Sequence, residues 1–187
     1  MIKAVFFDFG GVIAEEGWEN GLYDIADFHG VDRKRFFDDA CDVLWSTGYM
    51  YGRAPEEEFW TGLGERYNFT MTIDQMRRQI FDRFRVRPQV IELIEKVRDA
   101  GYRLAILSDQ TNWLDMLNAE YQFYTLFEKV YNSYYLGKGK KDISVFAEVC
   151  ADFGVKPSEV LFVDDNAGHI ERAEQSGLQV CHFDNVE

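Results

Sequence analysis

The chain is predicted to fold as an α/β doubly wound parallel sheet carrying a helical insertion, and three features point there. Short apolar, β-branched or aromatic runs recur along it: Ala4–Phe7, Tyr102–Leu107, Val160–Val163 and Leu178–Cys181. Helical patterns separate the later runs. Between about Glu15 and Arg87, helical patterns follow one another with no convincing strand.

The elements follow in order. Ala4-Val5-Phe6-Phe7 lacks the alternation of a half-solvated strand and suits one buried on both faces. The next stretch shows helix-like patterns around Trp18–Phe28, Asp32–Trp45, Pro55–Tyr67 and Thr72–Phe84. Thr47-Gly48 and Asn68-Phe69-Thr70 break it as loops between antiparallel helices would. A helix over Pro88–Ala100 begins on proline and stops at Gly101. After the run Tyr102–Leu107 a helix starts around Thr111–Trp113. Ile143–Phe153 carries apolar residues at Ile143, Phe146, Ala147 and Cys150. The run Val160–Val163, a helix over Ala167–Gln175 and the run Leu178–Cys181 complete the chain. At 187 residues, one core with a modest insert is expected, with residues 1–14 and 88–187 forming the α/β core and residues 15–87 the helical insert.

Composition narrows the function. A 47% hydrophobic content with 16% aromatics is enough to bury a sizeable core. The formal charge of -13 disfavours nucleic acid, because a phosphate-backbone binder needs a basic surface to displace counterions. No apolar run approaches the roughly 20 residues that span a bilayer. Three cysteines, Cys41, Cys150 and Cys181, are odd in number and far apart, which fits reduced thiols. A cytoplasmic protein without membrane contact is expected. The sequence gives no oligomeric state.

In open α/β sheets, ligands bind beyond the carboxyl ends of the strands. There the sequence places Asp8-Phe9-Gly10-Gly11-Val12, then Ser108-Asp109, then Asp164-Asp165-Asn166, with Gly137-Lys138-Gly139-Lys140-Lys141-Asp142 between the last two. This set suits phosphoryl transfer. A phosphate dianion repels an attacking carboxylate by about 4 kcal/mol per unit pair at 4 Å in an effective dielectric near 20, so positive charge is needed. Asp8 and the Asp164-Asp165 pair are hard oxygen ligands for Mg²⁺, and Lys140 would hold the remaining charge. Asp8 would attack phosphorus and form an aspartyl-phosphate that water then hydrolyses. Ser108, with its neighbour Asp109, falls at the phosphate ahead of a helix start.

Taken together, these segments resemble the haloacid dehalogenase-like superfamily over nearly the whole chain. Its first motif is matched by Phe6-Phe7-Asp8-Phe9-Gly10-Gly11-Val12, its second by Ser108, its lysine by Lys140 and its acidic metal motif by Val163-Asp164-Asp165-Asn166. The resemblance implies Mg²⁺ on Asp8, the Gly10 carbonyl, Asp165 and Asp164. It also implies that the helical insert is a small cap that closes over the site, and that a small phosphorylated metabolite, above all a sugar phosphate, is the substrate. Lys138 and Lys141 compete with Lys140 for the lysine role. Gly17-Trp18, Trp45, Tyr49 and Arg53 are open to the substrate or to the core, whereas His29, His169 and His182 read as structural or solvent-exposed.

The chain departs from the family pattern at Gly10, where most such phosphatases carry a second Asp as general acid and base. That change points to esters whose leaving groups have low pKa, such as anomeric or aryl phosphates. Lys141 stands where the pattern has Pro, and Asp109 where Asn or Gly is common. Two other readings remain. One is a non-catalytic binding or regulatory module on the same fold. The other is a 2-haloacid dehalogenase, which would gain nothing from the Asp164-Asp165 pair.

Overall fold

The computed structural model describes residues 1–184. Five parallel strands form one sheet in the order β3-β2-β1-β4-β5. They are β1 (Ala4–Phe7), β2 (Arg103–Ser108), β3 (Lys129–Asn132), β4 (Val160–Asp164) and β5 (Gln179–His182). Alternate residues feed two apolar layers. Val5, Phe7, Leu104, Ile106 and Val163 face one side, with Val90 and Ile94 of α5 (Pro88–Asp99) and Trp113, Leu114 and Leu117 of α6 (Trp113–Tyr121). Ala4, Phe6, Ala105, Leu107 and Phe162 face the other, where Phe146, Val149 and Phe153 of α8 (Ser144–Phe153) and Ala173 of α9 (Ala167–Gln175) cover them. Helices on both faces explain why the central strands read as unbroken apolar runs.

The sheet holds one strand absent from the sequence prediction, β3. Its four residues begin with an exposed lysine and show only two buried positions, too weak a pattern to read alone. The four-residue α7 (Ser133–Leu136) that follows it, closed by Gly137, was equally silent. β5 lies at an edge and is largely exposed, Cys181 included, unlike the buried strand expected there.

Between β1 and α5 the chain forms α1 (Trp18–His29), α2 (Arg33–Thr47), α3 (Glu56–Gly64) and α4 (Ile73–Phe81), each within a few residues of its predicted position. Local chemistry sets their ends. The Asp32 carboxylate caps α2 by accepting the Arg35 N–H, and Thr72 and Gln75 make a reciprocal capping box on α4. The outgoing and returning connections pair as an antiparallel ladder, Glu15 N–H donating to Arg85 O and Arg87 N–H to Ile13 O, each at 2.9 Å. These helices share the first apolar layer with the sheet. Trp60 stacks on Trp113 at 6.1 Å between ring centroids, and Trp18 lies 5.9 Å from the same indole. No helix among the described residues is long and apolar enough to cross a membrane.

Candidate active site

Strand register brings the predicted residues together. Phe7 pairs with Ile106 on one side and Val163 on the other, so Asp8, Leu107 and Asp164 end level with one another. Asp8 extends the ladder through its N–H to Val163 O at 2.9 Å. The strand order reverses beside β1, the crevice where doubly wound sheets bind ligands. A cavity of about 340 Å³ opens there, lined by Asp8, Gly10, Ser108, Lys140 and Asp165 among others.

At its floor lies the Lys140 ammonium, wholly buried, 2.7 Å from Asp8 Oδ2 and 2.6 Å from Asp164 Oδ2. Its neighbours point elsewhere. Lys138 pairs with Glu148 at 2.5 Å, and Lys141 sits over the Trp45 ring at 4.3 Å, so of the three lysines only Lys140 reaches the site. The Lys140 backbone is held as firmly as its side chain. Its N–H donates to both oxygens of Asp109, at 2.9 and 3.1 Å, and its carbonyl accepts the Arg172 Nε–H at 2.8 Å. Asp109, expected beside the phosphate, thus lines the cavity with its carboxylate turned onto the lysine loop.

Asp164 has its oxygens engaged. Oδ2 takes the ammonium, Oδ1 accepts the Asn166 N–H at 2.7 Å, and His169 Nδ1 stands 3.2 Å from both. Asp165, by contrast, lines the open cavity and folds over the first loop. A Cβ on Gly11 would lie 2.0 Å from Asp165 Oδ2, and Gly11 has a left-handed φ of 79°, so only glycine leaves room for this approach. Asp8 is nearly buried, its Oδ1 accepting the Phe9 N–H at 2.7 Å. Ser108, at the end of β2, is 1% exposed.

The electrostatics show a shortage of positive charge. Burial pushes the Asp8 carboxyl up to about 8 against the pull of Lys140, and Asp164 adds to the rise. Burial opposes the charged form of Asp164 too, but Lys140 and His169 outweigh it and hold that carboxyl below the usual range. Burial and the neighbouring Asp164 raise Asp165. For Lys140, burial works against the charge, and Asp8, Asp164 and Asp109 overcome it to raise the ammonium above its ordinary value. One ammonium shared by two buried carboxylates, with Asp165 nearby, leaves room for a cation. The donors are hard oxygens and so fit magnesium. Asp8, Asp164 and His169 also offer ligand atoms within 4.8 Å of one another, but the Asp164 atoms are occupied and imidazole is a poor magnesium ligand.

Sequence reasoning passed over His169, Arg172, Gln110 and Glu16. Asn166, His169 and Arg172 recur at three-residue spacing from the N-cap of α9 and so share one helix face. That spacing after the acidic pair was the available signal. Glu16 and Gln110 gave none. Trp18 lines the cavity, whereas Tyr49 is buried with its hydroxyl donating to Asn112 Oδ1 at 2.5 Å.

A family model described as haloacid dehalogenase-like hydrolase matches residues 2–177. The D-ribitol-5-phosphate phosphatase of Bacteroides thetaiotaomicron is 25% identical over 197 residues, covering 99% of this chain and 93% of that protein. A drimenol cyclase of Aspergillus calidoustus is 22% identical over 190 residues, and the chain spans 34% of its length. Among solved structures, a predicted HAD-like family hydrolase from Porphyromonas gingivalis superposes with a TM-score of 0.83 at 28% identity, covering 100% of this chain and 93% of that one. A HAD family enzyme from Bacteroides thetaiotaomicron in complex with magnesium and inorganic phosphate gives 0.82 at 20% identity, covering 100% and 96%. With the model match running from the residue before Lys3 to the end of the α9 turn, the chain belongs to the haloacid dehalogenase-like hydrolase family.

Proposed function

We propose that this hydrolase is a magnesium-dependent phosphatase acting on a small phosphate monoester, a sugar phosphate or a related polyol phosphate, through an aspartyl-phosphate on Asp8. The observation that carries the reading is the buried Lys140 ammonium held between Asp8 and Asp164 at the floor of a polar cavity. A dianionic phosphoryl group entering there meets a fixed cation and the Ser108 hydroxyl, already oriented before reaction. Asp8 is the nucleophile, and Lys140 offsets its repulsion from the phosphate. Asp8, the Gly10 carbonyl and Asp165 would hold magnesium, with Asp164 beside them. When bound, the ion neutralises phosphoryl charge as a Lewis acid. Residues 15–87 act as the cap and residues 1–14 and 88–187 as the catalytic core, the paired linkers at Ala14 and Val86 forming the junction.

The likeness to a D-ribitol-5-phosphate phosphatase over 93% of its length supports the substrate class, and the neighbour solved with magnesium and phosphate supports the cofactor. Phosphate release from sugar, polyol, nucleotide and aryl phosphates, with Mg²⁺ or EDTA, tests the reading. Wild-type turnover should need Mg²⁺ and fall at least 10³-fold in Asp8→Asn. Silence across the panel with Mg²⁺ still bound would instead describe a binding module.

A further inference from the structure

We propose that Glu16 is the proton-transfer residue of this site, protonating the leaving oxygen and then deprotonating the hydrolytic water. The inference rests on the phosphatase reading above. Breaking an alkyl P–O bond places an electron pair on an oxygen that needs a proton, a task usually given to a positioned carboxyl or imidazole. The cavity offers few free groups for it. Lys140 is spent on Asp8 and Asp164, Asp109 on the Lys140 N–H, His169 Nδ1 on Asp164, and Glu19 on the Tyr23 hydroxyl. Asp165 crowds Gly11 on the metal side.

Glu16 remains, and its position is specific. A Cβ built on Gly10, two residues beyond the nucleophile, would stand 3.5 Å from Glu16 Oε2 and 3.5 Å from Gln110 Nε2. The Glu16 carboxyl therefore reaches the space that a side chain at position 10 would enter. Its placement is fixed by the chain around it. Oε1 accepts the Glu19 N–H at 3.1 Å and the Glu16 carbonyl accepts the Asn20 amide at 2.6 Å. Gly17 lies so flat on the Phe84 ring that a Cβ there would come within 2.3 Å of it. The carboxylate lines the cavity, and no side chain among the described residues hydrogen-bonds its Oε2.

The steps balance. As an Asp8 oxygen bonds to phosphorus, the P–O bond to the alcohol breaks, its electron pair takes the Glu16 proton, and the alcohol leaves. Water then adds to phosphorus and gives its proton to the Glu16 carboxylate while the P–O bond to Asp8 breaks, releasing phosphate and restoring both carboxyl groups. With Glu16 in this role, glycine at position 10 does not confine the enzyme to esters with leaving groups of low pKa.

The test compares D-ribitol 5-phosphate, whose alkoxide needs a proton, with p-nitrophenyl phosphate, whose phenolate does not. Glu16→Gln should lower kcat/KM for the first by roughly 10²–10³-fold and for the second by less than about tenfold. Gly10 has no left-handed φ, and a Cβ there meets only ordinary contacts. Gly10→Asp in the Glu16→Gln background should therefore restore at least tenfold on D-ribitol 5-phosphate. Equal losses on both substrates, a loss of Mg²⁺ affinity in Glu16→Gln by calorimetry, or the same leaving-group pattern from His169→Gln would overturn the assignment. A wild type inactive on both esters removes the phosphatase reading and this role with it, whereas an active wild type with equal Glu16→Gln losses sinks the Glu16 role alone.

Discussion

Lys140 is the residue on which the site turns, because among the described residues it is the one buried cation, set between the buried acids Asp8 and Asp164, and is itself wholly out of water. Charges buried in this way stabilise little as a pair, but removing one partner leaves the others uncompensated, which costs about 3–5 kcal/mol. Lys140→Met is expected to destabilise the fold by about that amount in urea denaturation and to abolish turnover. Asp8→Asn added to it should recover part of the stability, since one of two facing carboxylates is then gone. No recovery would mean that Lys140 matters for packing rather than charge. The same economy operates at Gly11, where the absence of a side chain lets Asp165 close on the first loop.

Helices are placed by contacts equally particular. α9 carries Asn166, His169 and Arg172 along one face, capping its own start, touching Asp164 and anchoring the Lys140 carbonyl, so a single element holds the acidic strand end and the lysine loop together. Within the insert, α1 and α4 touch where Gly21 meets Ile80. A Cβ at Gly21 would fall 2.4 Å from the Ile80 Cα, a backbone atom that cannot swing away. Gly21→Ala should therefore cost about 1–3 kcal/mol by forcing the two helices apart, despite the better helix propensity of alanine. A urea midpoint equal to or above that of the wild type would show that the helices separate freely.

At the scale of the whole molecule, the site belongs to both parts of the chain. Asp8, Ser108, Lys140 and Asp165 come from the sheet ends, Glu16 from the connection, and Trp18 and Phe37 from the helices of the insert. A ligand bound there bridges the two, which share one apolar cluster around Trp113. Mg²⁺ with inorganic phosphate at about 100 times the dissociation constant should add about 2.7 kcal/mol, a rise in Tm of roughly 5–10 °C. The shift should shrink in a variant lacking Asp165. An unchanged Tm in both would show that the pair of ligands does not bind.

The sheet's central strands, the helices flanking them and the set of polar residues at the strand ends are legible in the chain's local patterns. Those features are local: an apolar run long enough for a buried strand, a proline opening a helix, a carboxylate or hydroxyl one residue past each run. Register then needed only the match of Phe7 to Ile106 and Val163 to make Asp8 and Asp164 neighbours. The remaining features depend on directions in space that no local pattern contains. The edge strand β3 is a strand because Ala105–Ser108 offers it a ladder, not because Lys129-Val130-Tyr131-Asn132 demands one. Lys140 rather than Lys138 or Lys141 enters the site because Asp109 and Arg172 fix its backbone from elements that lie 31 and 32 residues away in sequence. Glu16 is placed by the same kind of long-range contact. Its carboxyl meets Gly10 only after the chain has turned at Ala14, paired with its own return at Val86 and laid Gly17 on Phe84, and contacts of that kind are made by packing, after the local rules have been obeyed.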